Sequence, residues 1–79
     1  MSTQTRSISY KPLWKLLIDK NLHKQDLRKM TGLSGATIAK LGRDENVTTA
    51  VLVRICEALD CQLNDIVELQ AHAESGELR

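Results

Sequence analysis

Eighteen residues, KQDLRKMTGLSGATIAKL at positions 24–41, constrain this chain more than any other stretch. Apolar side chains stand at Leu27, Leu33, Ile38 and Leu41, the fourth, tenth, fifteenth and eighteenth places, and Gly32 holds the ninth. Helical spacing runs up to the glycine and resumes after Ser34. Glycine adopts the left-handed backbone of a sharp helix exit without a steric penalty. Leu33 then plugs inward, and Ser34 caps the next helix by accepting from its free amides. Two short helices locked at a steep angle follow, the second projecting from the surface: a helix-turn-helix.

The same logic finds the other helix starts. An apolar residue just ahead of an N-cap packs on the residue five later and closes the first turn. Such pairs occur five times: Ile8 and Leu13 around Ser9, Leu22 and Leu27 around His23, Leu33 and Ile38 around Ser34, Val47 and Leu52 around Thr48, and Cys61 and Ile66 around Gln62. Ser and Thr are good caps, His and Gln poor ones. Leu52, Ile55, Cys56 and Leu59 keep the i, i+3, i+4, i+7 stripe of an amphipathic helix. Pro12 fits a first helical turn, where its missing N–H has no partner to lose. Strand signals are weak, with no Phe, one Trp, one Tyr and no sustained alternation. The expectation is an all-α fold, a compact domain of five helices at 10–20, 24–31, 35–42, 49–59 and 63–70, with the helix-turn-helix at the second and third. Residues 1–7 read as a flexible arm and 71–79 as a flexible tail, both polar and poor in anchors.

With 79 residues, 42% of them hydrophobic, the chain supports one small domain with a modest core. It has no run of eighteen apolar residues and no apolar stretch near its start like that of a secretion signal, so the cytoplasm of a bacterium or phage host is expected. Cys56 and Cys61 lack the companions of a zinc site and read as buried reduced thiols, a redox or metal site being the alternative. Net charge is only +1 but is unevenly spread. Residues 1–43 carry nine Lys/Arg against two acids, a net +7, and residues 44–79 carry two against eight, a net −6. The basic half is a candidate footprint for a polyanion.

The stretch 24–41, followed by NVTTAVLVRICEALDCQLNDIVEL, resembles the lambda-repressor-like (Xre/Cro) helix-turn-helix domains, especially their small single-domain branch, over residues 8–70. The resemblance implies a double-stranded DNA-binding transcription regulator, often a dimer. The sequence departs from the family at the motif's fifth place, where a small residue is usual and Arg28 stands. Its stem must lie along the helix contact with its head in solvent.

With Ile38 and Leu41 facing the core, Gly35, Ala36, Ala39 and Lys40 face the major groove and Thr37 flanks it. Lys40 can donate to guanine or phosphate, Thr37 can donate from its hydroxyl, and the alanines can meet thymine methyls. Such readout is sparse, so DNA shape or an Arg6-bearing arm in a neighbouring groove is expected to add specificity. Lys24 stands where the resembling family grips the DNA backbone. The capped helix starts at Ser34 and Thr48 offer amides to phosphate, and Arg43, Asn46 and Thr49 extend that grip. Tyr10, Trp14 and Met30 read as core. Neither His23 nor His72 suggests a base, and no catalytic constellation or phosphate-cradling loop is present, so an enzyme is not expected. Nor is a metal, a cofactor, a small-molecule ligand or a membrane.

The leading function is a repressor occupying an operator. The alternative is a protein-interaction module on the same scaffold, antitoxin-like or an accessory regulator. If the chain pairs as a homodimer, Leu63, Val67 and Leu69 near the end of the fifth helix are the available face.

Overall fold

The structure, a computed structural model, describes residues 6–71. It contains four helices, α1 (Lys11–Asp19), α2 (Lys24–Thr31), α3 (Gly35–Gly42) and α4 (Thr49–Leu59). Strands β1 (Arg6–Ser9) and β2 (Glu68–Ala71) frame them, and a single 3₁₀ turn (Leu63–Asp65) leads from α4 to β2. The fold is therefore mostly helical rather than all-α, with four helices among the described residues instead of the five expected.

The correction falls on residues 63–70. Asp65 accepts from the Gln62 N–H at 2.9 Å, which starts the turn, but Ile66 ends it by dropping into the core at 0% exposure. Beyond it the chain is extended, and β2 pairs antiparallel with β1 in the register Ile8↔Leu69 and Ser9↔Glu68. A short segment has too few hydrogen bonds to repay helix nucleation, whereas a ladder to β1 satisfies its backbone directly. Of the arm expected at 1–7, Arg6 and Ser7 belong to β1, opposite Ala71 and Gln70. Residues 1–5 and 72–79, His72 among them, lie outside the described residues.

The other helix starts behave as their chemistry dictates. Ser34 Oγ accepts from the Thr37 N–H at 3.2 Å, and Thr48 Oγ1 accepts from the Val51 N–H at 3.3 Å. His23 does cap α2, through its backbone: its N–H donates to Asp26 Oδ2 at 2.8 Å. Ser9 ends β1 instead of capping α1, yet its Oγ still accepts from the Lys11 N–H at 3.2 Å. Gly32 is left-handed at φ 73°, as the corner requires. Asn21, Asp44 and Asp60, at φ 61°, 56° and 53°, make the corresponding exits of α1, α3 and α4; Asn and Asp tolerate that region better than other side chains.

Leu13, Leu17, Leu27, Leu33, Ile38, Leu41, Leu52, Ile55, Leu59 and Ile66 form one core with Tyr10. Trp14 packs half-buried against it, but Met30 does not join it: it stands 47% exposed on the outer side of α2. Cys56 and Cys61 are free and half-buried, and burial, with Cys56 adjacent, pushes the Cys61 thiol up to about 11. Among the described residues no group of three or more His, Cys, Asp or Glu is placed to hold a metal.

Tyr10, 1% exposed, closes the fold. Its backbone N–H donates to Asp44 Oδ1 at 3.0 Å and its hydroxyl donates to the Glu45 carbonyl at 2.9 Å, tying the entry of α1 to the loop after α3. Burial and, secondarily, the Asp44 charge raise the phenol above its ordinary value of 10.0. The native state thus holds the phenolic proton more tightly than the unfolded chain does. That stabilisation is complete below pH 10 and disappears as pH rises through the native value. Tyr10→Phe should cost about 1 kcal/mol in a denaturant titration at pH 7 and should flatten the loss of stability above about pH 10. An unchanged alkaline limb would show that another group governs it.

Candidate nucleic-acid interface

The corner between α2 and α3 sets the site. Thr31, buried at the end of α2, donates to the Leu27 carbonyl at 2.7 Å and accepts from the Leu33 N–H at 3.2 Å. The exit is hydrogen-bonded on both sides of Gly32. With Leu33, Ile38 and Leu41 buried, α3 is fixed by its inner face, and Gly35, Ala36, Ala39 and Lys40 are all exposed on its outer one. Thr37 sits half-buried on the flank, its hydroxyl 3.1 Å from Ser34 Oγ.

The remaining expected contacts gather at the far end of α3. Thr37, Lys40, Asn46 and Thr48 line one shallow concavity of about 180 Å³ with Val47 and Val51. Thr49, the first residue of α4, is exposed beside it. Arg43, the C-cap of α3, is exposed but engaged: its Nε and Nη2 donate to Glu45 at 2.7 and 3.4 Å. That pairing raises the Arg43 pKa and lowers that of the Glu45 carboxyl, the hydrogen bond being the larger cause in each. Both groups are fully solvated, so phosphate can compete for Arg43 at little cost. Arg6, expected in a free arm, is held in β1 opposite Ala71.

Residues 12–72 match the family of Cro/C1-type helix-turn-helix DNA-binding domains. The chain belongs to that family. No curated protein matched the sequence. Among solved structures, the crystal structure of the transcriptional regulator VanUg, form II, is similar to this domain, with 46% identity and a TM-score of 0.83. The match covers 91% of this chain and 96% of that one. No helix among the described residues of this Cro/C1-type domain is long and apolar enough to cross a membrane.

Two features of the domain escaped the sequence. Lys24, at the start of α2, holds its Nζ 4.7 Å from the centroid of the Trp14 ring. The same Nζ lies 3.5 Å from where a β-carbon on Gly42 would stand, so the ammonium sits at the close of α3. Trp14 is core on one side and a cation platform on the other. Ten residues separate the pair, and no periodicity signals their meeting. Arg28 is exposed, as the wet-headed arginine anticipated above must be, but its head rests beside Gly35, at the opposite end of α3.

Because Trp14 is the sole tryptophan, its emission reports on this contact. Lys24→Gln should shift that emission while leaving the far-ultraviolet circular dichroism unchanged, since an exposed cation–π pair is worth only about 0.5–1 kcal/mol. It should also reduce the salt slope of DNA binding by about one per half-site. Unaltered emission would remove Lys24 from the ring.

Proposed function

We propose that this Cro/C1-type domain is a transcriptional repressor that occupies an operator with α3 in the major groove. The observation that carries the reading is α3 itself: an eight-residue helix anchored through Ile38 and Leu41 whose entire outer face is exposed and bears no acidic side chain. Small residues let the helix approach base edges closely, and Lys40 adds a donor at its far end. Lys24, Arg43, Asn46, Thr48 and Thr49, with the capped starts at Ser34 and Thr48, are the backbone grip. The name of VanUg, a transcriptional regulator, supports the same assignment. A bound domain covers promoter DNA sterically, which suffices for repression.

A single helix-turn-helix unit covers little DNA, so two units on a palindrome are the expected arrangement. The pairing face is the apolar groove of about 450 Å³ around Ile8, Leu63, Val67 and Leu69, where Leu63 and Leu69 are 51% and 65% exposed. It lies on the 3₁₀ turn and the small sheet. Sedimentation should show a dimer that Leu69→Lys converts to monomer. A wild-type monomer at high concentration, with and without operator, would exclude this pairing.

Fragmented genomic DNA of the host, captured at moderate salt and sequenced, should yield a few sites sharing a short palindromic motif. Three cations per half-site imply that affinity falls on the order of 10³-fold between about 50 and 200 mM salt. Lys40→Ala should weaken capture at every site. A weak salt dependence with uniform recovery would instead favour the protein-interaction reading.

A further inference from the structure

We propose that Arg28, a residue of α2 rather than of the recognition helix, reads a guanine edge at the leading end of α3. The proposal rests on the DNA-binding reading above and deepens it.

A β-carbon built on Gly35 would lie 3.9 Å from both Cζ and Nη1 of Arg28. The guanidinium is therefore seated against the first residue of α3, in space that a longer side chain at 35 would occupy. It is exposed, in a groove of about 580 Å³ shared with Gln25, Lys29, Gly32, Leu33 and Ser34. Among the described residues no ion pair and no side-chain hydrogen bond holds Arg28, whereas Arg43 is paired with Glu45. Arg28 thus presents an uncommitted planar fork, whereas Arg43 must first release a carboxylate.

The chemistry of α3 makes this fork the missing part. Gly35, Ala36 and Ala39 have no side-chain donor, and Lys40 sits about 7.5 Å further along the axis than Gly35. Methyl groups favour thymine but do not identify guanine; a guanidinium does so through paired bonds to O6 and N7. Placement also separates Arg28 from the backbone grip. Lys24 and Arg28, four apart on α2, reach opposite ends of α3: the ammonium beside Gly42, the guanidinium beside Gly35. Arg28 borders the face that enters the groove, so its target is a base edge.

The test is binding of the intact chain, Arg28→Ala and Arg28→Lys to the captured operator and to a set with each base pair replaced in turn. Arg28→Ala should bind the operator about ten- to a hundredfold more weakly and lose discrimination at one G·C pair per half-site. Arg28→Lys should keep the wild-type salt slope yet lose that discrimination, because a point charge lacks the fork. Thermal melting of both variants should match wild type. Equal weakening on every sequence with a lower salt slope would make Arg28 a phosphate contact and overturn the proposal, as would an unaffected Arg28→Ala. Either result leaves the DNA-binding reading standing. Failure of the unaltered chain to bind any DNA would overturn that reading, and this proposal with it.

Discussion

Everything at the surface of this domain depends on burying four side chains, Leu27, Leu33, Ile38 and Leu41, around one backbone corner. An eight-residue helix such as α3 is not stable alone in water, because so few hydrogen bonds follow its costly nucleus. Its helicity is supplied by the pocket that Ile38 and Leu41 fill. That pocket exists only while α2 stops at Gly32 and turns. Thr31 stabilises the stop: its buried hydroxyl donates to the Leu27 carbonyl and accepts from the Leu33 N–H where the chain reverses, so neither it nor that N–H is left unpaired.

Because the inner face of α3 alone fixes it, the outer face is relieved of any structural duty. Its residues can be as small as glycine and alanine without loss of packing. The cost is chemical poverty, and α2 compensates by placing charge at both ends of α3, Lys24 against Trp14 and Gly42, and Arg28 against Gly35. An arginine is accommodated at this place because its head lies out in solvent beside Gly35.

What was legible in the sequence was local. The helices from 24–31, 35–42 and 49–59 stand where caps, staples and Gly32 place them, because each signal acts within one or two turns. The sheet was illegible for the opposite reason. Ser7, Ile8 and Ser9 alternate, as do Val67, Glu68 and Leu69, but each run is too short to show a period, and their partners come from opposite ends of the described chain. Met30 looked like core because of its type alone, and its place on the outer side of α2 overrules that. At the site, the outward set on α3 followed from periodicity. The Lys24–Trp14 and Arg28–Gly35 meetings did not, since each depends on how two helices cross.

Tyr10 joins the two surfaces that the proposed dimer would use. It follows Ser9 of β1 directly, and β1 carries β2 with Leu69. Its own N–H and hydroxyl bind Asp44 and Glu45, which lie between Arg43 and Asn46 in the loop after α3. Both bonds are anchored at a buried residue and reach an exposed loop, so the linkage fixes the two segments at two points, where a surface ion pair would fix them weakly at one. In a dimer built on the sheet, the distance between the two copies of α3 is then set by this connection rather than by a flexible linker. Half-site spacing becomes a property of the fold, and DNA whose half-sites fall at another spacing must bend or twist to be bound, which adds a shape requirement at base pairs the protein does not touch.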